Sequence, residues 1–333
     1  MHVFVTGGLG FIGSNFIKLL LEEEKDFFIT NIDAETYAAG LDNLKAIESK
    51  KNYQYFKGNI QNYDFIETLL KKYSPDLIIN FAAETHVDRS IHAAQPFVET
   101  NIIGTHVLLE TALRQNVSKY IQISTDEVYG SINPPDKFKE DSPIKPNSPY
   151  SASKAAADHL VRAYNKTYGL NTITIRCSNN FGPYQFPEKV IPYFISLALE
   201  GKQVPVYGDG LNVRDWIFVK DFCTAILAVL KKGKTGEVYN VGGNCELTNL
   251  ALTKKILQKL GRAEDLLEFV KDRLGHDRRY AMDNTKISSE LGWKKKYNFE
   301  EALDETIKWY RNNPEWIKKK TLVGTNRNLS LQK

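Results

Sequence analysis

Tyr150 and Lys154 stand four residues apart in the run Pro149-Tyr150-Ser151-Ala152-Ser153-Lys154. On a helix that spacing puts both side chains on one face. A free tyrosine, with a pKa near 10, is a poor base at neutral pH. An adjacent ammonium, or any further cation bound close by, stabilises the phenolate and brings it toward the working range. The pair could therefore take a proton from a hydroxyl group. A second constellation is Asp126-Glu127, at the end of the apolar run Tyr120–Ser124. Two carboxyl groups at short range push each other's pKa values apart, so one can act as acid while the other acts as base.

A third constellation is built to hold rather than to react. Gly7-Gly8-Leu9-Gly10-Phe11-Ile12-Gly13 follows the strand-like run Val3–Thr6 and precedes the apolar periodicity of Asn15–Leu21. Strand, glycine turn and helix together let a pyrophosphate approach backbone N–H groups at a helix N-terminus. A second strand-like run, Phe27–Ile32, ends at Asp33, twenty residues after Gly13. That is where such a unit places the acid that bonds the ribose hydroxyls. An Asp there repels a 2′-phosphate, and neither Ala34 nor Glu35 supplies a compensating cation. The spacing favours NAD over NADP.

The elements that must position these groups alternate. Residues 53–57, 77–81, 120–124 and 172–176 read as further strands, with helical stretches near 62–73, 95–115 and 150–168. Ser148 is the N-cap expected for the last of these, with Pro149 at the first helical position. Alternation on this scale predicts an α/β fold with a doubly wound parallel (Rossmann) sheet. Ligands then gather at the carboxyl ends of its strands, where polar runs occur: Ala82–His86, Thr125–Glu127 and Ser178–Asn180. After residue 180 the alternation weakens. We expect residues 1–180 to form the dinucleotide-binding domain with the reactive groups, and 181–333 mainly a smaller C-terminal substrate-binding domain, the chain crossing between them.

The 333 residues, with 42% hydrophobic and 25% charged, exclude a disordered or fibrous chain. A net charge of +4 is too small for a nucleic-acid binder, and no apolar run is long enough for a membrane span. The three scattered cysteines and six histidines make neither a disulfide framework nor a metal motif, so no metal is expected, and a reducing, cytoplasmic setting is. Lys318–Lys320 reads as a solvated face, and the polar stretch from Thr321 on as a loosely held tail.

The glycine turn taken with Tyr150-x-x-x-Lys154 is similar to the extended short-chain dehydrogenase/reductase family. Within it, Ser124-Thr125-Asp126-Glu127-Val128-Tyr129-Gly130 resembles the nucleoside-diphosphate-glucose 4,6-dehydratases. The likeness continues through Ala82–Ser90, Ser178–Gln185, Tyr207–Trp216 and Asp272–Tyr280, and spans Val3 to about Trp309. It implies that NAD⁺ oxidises a sugar at C4, that water leaves across C5–C6, and that the hydride returns to C6. The resemblance makes Tyr150, with Lys154, the base at O4, places Thr125 on the C4 oxygen, and assigns Asp126 as acid at O6 and Glu127 as base at C5. It places NAD against Gly7, Gly10, Phe11, Ile12, Gly13, Asp33, Asn59, Ile60, Ala82, Ala83, Thr100, Tyr150, Lys154 and Asn180. The nucleotide sugar falls to Thr85, Asn179, Glu188, Lys189, Val190, Pro205, Tyr207, Arg214, Asn249, Arg273, His276 and Tyr280. Arg offers a planar donor fork to a pyrophosphate, and Tyr a flat face to a base.

Two departures from the family pattern are Asn59, where Asp is usual, and Leu274, where Pro is usual. The resemblance further implies a dTDP-sugar, with a UDP-sugar as the alternative, and a homodimer joined through the helices near 95–115 and 150–168. A nucleotide-sugar 4-epimerase would need Tyr150 and Lys154 but has no task for the Asp126–Glu127 pair.

Overall fold

The strands of the central sheet are short, apolar and buried on both faces, the pattern of a parallel sheet covered by helices on either side. Leu77–Asn80 and Thr172–Cys177, for example, are buried at every position. In the computed structural model, which describes the chain from Met1 to Asn328 and its side chains as far as Thr321, twelve strands are formed. They are β1 (His2–Thr6), β2 (Phe28–Asp33), β3 (Tyr53–Lys57), β4 (Leu77–Asn80), β5 (Lys119–Thr125) and β6 (Thr172–Cys177), then β7 (Asn179–Phe181), β8 (Val204–Tyr207), β9 (Val213–Phe218), β10 (Val238–Val241), β11 (Glu246–Thr248) and β12 (Leu267–Val270). The first six match the expected strands to within one residue at each end.

The main sheet runs β10-β6-β5-β4-β1-β2-β3, and every pairing in it is parallel. The order reverses beside β1, which opens a crevice at the carboxyl ends of β1 and β4. One of its two edge strands, β10, comes from the second half of the chain. Two small sheets, β11-β9-β7 and β12-β8, stand apart from it.

Helix α1 (Phe11–Glu23) buries Phe16, Ile17, Leu20 and Leu21, the i, i+1, i+4, i+5 stripe of a helix lying on a sheet. It packs one face of the sheet together with the later helix Val219–Lys232. The opposite face is covered by α2 (Tyr63–Tyr73) and by a long stretch from residue 95 to 114. That stretch is not one regular helix. Gln95–Phe97 is followed by a π-helical turn, Val98–Gly104, and then by Thr105–Arg114. Such turns accommodate an extra residue and re-aim the side chains they carry.

The helix Pro149–Tyr168 has both ends specified. Ser148 accepts from the Ser151 amide at 3.1 Å while Ser151 Oγ accepts from the Ser148 amide at 3.0 Å, a reciprocal capping box ahead of Pro149. Gly169, at φ 71°, closes the other end in the left-handed conformation. The first turn of this helix, which carries Tyr150, is thereby fixed in direction.

Two expectations about the C-terminus need correcting. The polar stretch from Thr321 continues the helix Pro314–Asn328 rather than leaving it, while residues 329–333 lie outside the described part. Lys320 is not solvated: it is 4% exposed, because the helix turns it inward onto the loop after β2. No helix of the described residues is long and apolar enough to cross a membrane.

Candidate active site

Two clefts meet above the carboxyl ends of the main strands. One, of about 300 Å³, is walled by the glycine turn, the end of β2, residues 58–60, Phe81–Thr85, the end of β5 and residues 177–180. The other, of about 990 Å³, lies toward the small sheets. Tyr37, Glu84, Glu127, Asn179, Asn180, Gln185, Glu188 and Lys189 line both, so the clefts are continuous.

The first cleft is shaped by missing side chains. Gly7 sits at φ 72°, and a Cβ there would lie 2.5 Å from the Ala82 amide nitrogen; one on Gly13 would lie 2.5 Å from the Gly7 carbonyl. Only glycine allows strand, turn and helix to approach so closely. Asn31 and Asp33 then hold the turn, accepting from the Gly8 and Leu9 amides at 3.1 and 2.9 Å, while the second oxygen of Asp33 accepts from the Glu35 amide at 2.8 Å. Asn59, Ile60 and Thr100 form the far wall, Thr100 reaching it from the π-helical turn. Next to it Asn101 bonds Glu84 through both backbone groups and Ser153 Oγ through its amide, tying the loop after β4 to the helix that bears Tyr150. Every residue expected at the cofactor lines this cleft: Gly7, Gly10, Phe11, Ile12, Gly13, Asp33, Asn59, Ile60, Ala82, Ala83, Thr100, Tyr150, Lys154 and Asn180.

Thr125, Asp126 and Glu127 occupy the junction. Thr125 Oγ1 donates to Asp126 Oδ1 at 3.2 Å and accepts from the Glu127 amide at 3.2 Å. The two carboxyl groups are held differently. Burial pushes Asp126 well above the ordinary carboxylate range, and the negative charges of Glu127 and Asp215 push it further. Burial also raises Glu127, but Arg214, Arg273 and Lys189 pull it back. Asp126 Oδ2 is buried with no protein partner. One carboxyl group pushed up by like charges beside another pulled back by three cations is an arrangement that can divide acid and base work within a pair.

Tyr150 and Lys154 lie on one face of their helix, as the spacing requires, but the expected electrostatics differ in this structure. The Tyr150 hydroxyl is pushed well above its ordinary value, first by burial, then by Glu127 and the Cys177 thiol; the Thr125 hydroxyl acts in the opposite direction. Lys154 is buried, its ammonium destabilised by that burial, and it donates to the Ile123 carbonyl at 2.7 Å.

The second cleft takes the remaining expected residues. Val190, Pro205, Tyr207, Arg214, Asn249, Arg273, His276 and Tyr280 line it; Asn179, Glu188 and Lys189 line both clefts, and Thr85 the first. Lys189 Nζ donates to the Thr85 carbonyl at 2.8 Å. Arg214 lies over the Tyr280 ring at 4.3 Å, and Arg273 near the Tyr207 ring at 5.7 Å while facing Asp88 at 3.5 Å. Tyr207 keeps 37% of its surface exposed and stands edge-on to His276. His276, lowered to about 4 by burial and by Arg273, is neutral near pH 7; Nδ1 meets Asp272 at 2.6 Å, and Nε2 has no protein partner.

Several lining groups carried no signal in spacing. Tyr37 sits between the clefts with the Arg89 guanidinium 3.8 Å from its ring centroid, and Arg89 in turn bonds Glu188 at 2.9 Å. Ser124, Ser178 and Gln185 each bring a buried polar atom without a protein partner to the first cleft. Ser124 and Ser178 stand beside the polar strand ends already singled out, which is the one clue they offered.

Fold and site together define a dinucleotide-binding enzyme of the extended short-chain dehydrogenase/reductase type. The chain belongs to the family described as GDP-mannose 4,6 dehydratase, whose profile matches residues 4–306. It is 50% identical over 315 residues to a low-salt glycan biosynthesis protein of Haloferax volcanii, covering 95% of this chain and all of the relative. It is 46% identical to a dTDP-glucose 4,6-dehydratase of Xanthomonas campestris over 94% of each chain. The crystal structure of dTDP-glucose 4,6-dehydratase from Bacillus anthracis in complex with NAD superposes with a TM-score of 0.91 at 49% identity, covering 96% of this chain and 99% of that one.

Proposed function

We propose that the protein is an NAD-dependent hydro-lyase that converts dTDP-glucose into dTDP-4-keto-6-deoxyglucose. The carrying observation is the Asp126–Glu127 pair, one member pushed up by burial and like charges and the other pulled back by three cations, where the two clefts meet beside Tyr150. The first cleft fits a dinucleotide: its glycines leave room for a pyrophosphate, Asp33 stands at the ribose position, and Ser124, Ser178 and Asn180 offer buried unpaired polar atoms. Bound there, NAD⁺ supplies the two-electron acceptor for C4, the donor for C6, and a positive charge that opposes the burial holding Tyr150 protonated.

The side chains handle the protons. Tyr150 takes the O4 proton as C4 becomes a ketone, with Thr125 hydrogen-bonding the C4 oxygen. H5 is then α to a carbonyl and acidic enough for Glu127 to remove. Asp126 gives its proton to O6, which leaves as water as the C5–C6 double bond forms. A proton returns to C5 when C6 is reduced, and the proton gained by Tyr150 balances the one Asp126 gave up. Arg214, Arg273 and Lys189 offer cations to the diphosphate, and Tyr207, still partly exposed, a flat face to the base.

The same reading carries a division into a cofactor-binding part, 1–180, and a mainly substrate-binding part, 181–333, and a cytoplasmic enzyme with its three cysteines free. It also carries a homodimer. Val98 and Ile103 on the stretch near 95–115, and Tyr168 at the end of the helix Pro149–Tyr168, are 45%, 47% and 57% exposed, apolar surface that a second copy would cover. Ile103→Glu should halve the mass measured by sedimentation; a parent protein already sedimenting as a monomer would remove the homodimer.

The activity is tested by supplying dTDP-glucose and UDP-glucose separately without reductant and following the loss of one water by mass spectrometry. We expect dTDP-glucose to react, and UDP-glucose more slowly, since it lacks the thymine methyl, worth about 1–3 kcal/mol in a pocket, and carries an extra 2′-hydroxyl. Isomerisation without loss of water would replace this reading with the 4-epimerase.

A further inference from the structure

The helix Pro314–Asn328 sends one face onto the loop that follows β2, and the three side chains that reach it are spaced i, i+3, i+4. Trp316 Nε1 donates to Asn43 Oδ1 at 2.9 Å. Lys319 pairs with Asp42, and Lys320 Nζ donates to the Ala39 carbonyl. Lys320 occupies the space where Gly40 lacks a side chain. The inner side of the same loop forms the cofactor cleft: Asp33, Ala34, Thr36, Tyr37, Ala38 and Ala39 all line it.

The contacts continue inward from there. Asn43 donates through Nδ2 to the Leu9 carbonyl at 2.9 Å, and the Gly40 amide donates to the same carbonyl at 3.1 Å. The Leu9 amide donates to Asp33 Oδ2 at 2.9 Å. A short relay thus joins Trp316 through Asn43 to the glycine turn and, from there, to Asp33. Outward, Trp316 is braced edge-on by Trp309 at 5.0 Å and by Tyr184 at 6.2 Å.

Simple terminal packing accounts poorly for Lys320. A buried ammonium is costly unless well paired, and an apolar residue of similar length would stabilise a merely structural contact at least as well. Burial pulls Lys320 down to about 8, with Asp42 and Asp33 among the charges that support its protonated form. Neither neighbour of Asp33 in sequence provides a cation; one arrives from the far end of the chain.

We propose that Trp316 and Lys320 are positioning residues for the dinucleotide: the C-terminal helix clamps the loop 34–43 against the glycine turn and so sets how long the cofactor stays bound. This rests on NAD occupying the first cleft. A cofactor that is reduced and reoxidised within one turnover has no need to leave, so slow release suits the chemistry.

The test uses the full chain with Trp316→Phe, which removes the indole N–H and keeps one aromatic ring, and Lys320→Met, which keeps the stem and removes the charge. We expect both to purify with less NAD than the parent and to release it about three- to tenfold faster, as for one lost hydrogen bond. Activity lost on dilution should be restored by excess NAD⁺, and the rise in melting temperature on adding NAD should shrink. Unchanged NAD content and release rate would overturn the proposal. So would an equal drop in melting temperature with and without NAD, which would mark the helix as structural only. A parent protein that neither carries nor binds NAD would overturn the cofactor reading itself, and this inference with it.

Discussion

Asp126 and Glu127 are adjacent in sequence and share a buried site, yet their surroundings differ. Glu127 and Asp215 push Asp126 up with Arg214 opposing them, whereas Arg214, Arg273 and Lys189 pull Glu127 down with Asp277 opposing. Glu127→Gln keeps the shape and removes the base, so turnover should fall by about 10²–10⁴-fold while NAD binding persists. Near-parental dehydration by that variant would take the base role away from Glu127. The pH profile carries the same signature. Glu127 must be ionised, so kcat/KM falls as pH drops through the lower apparent step of the pair; Asp126 must be protonated, so it falls again as pH rises through the upper step. Because burial raises both groups, the acid limb should lie above the ordinary carboxylate range. An acid limb near pH 4 would contradict the buried pair. These residues were legible in sequence as a pair, and their division of labour was known only from resemblance. It takes the three cations, brought from residues 189, 214 and 273, to give that division a physical cause.

Local elements were the most readable part of the chain. The strand–glycine turn–helix unit and the helix opening at Pro149 each announce themselves within a dozen residues, because turn, cap and apolar period are local properties. The Ser148 cap matters to function because it aims the first turn, and Tyr150 with it. Ser148→Ala should cost about 1 kcal/mol of stability in a denaturant titration and should lower turnover, since the base then sits on a frayed turn. Full stability in that variant would mean the Ser151 hydroxyl and Pro149 suffice to start the helix. The π-helical turn at Val98–Gly104 was not legible: the pattern there reads as ordinary helix, and only packing against Ile60 and the loop at Glu84 reveals the extra residue. The Tyr150–Lys154 pair shows the converse. Its geometry follows from spacing, whereas its electrostatics follow from burial and from acids on the turn after β5.

Across the whole molecule, what sequence reading missed is what depends on distant partners. Lys320 looks like one more surface lysine until the fold brings it against Ala39, 281 positions away. The outer strand β10 likewise joins a sheet whose other members all precede residue 178. These long connections bind the second half of the chain to the first, whose strand ends wall the first cleft. The most direct test of that account is dTDP-glucose carrying deuterium at C4, turned over without added reductant. The account predicts a 4-keto-6-deoxy product with the label at C6 and none released to solvent. A product that keeps the deuterium at C4, or loses it to water, would contradict it.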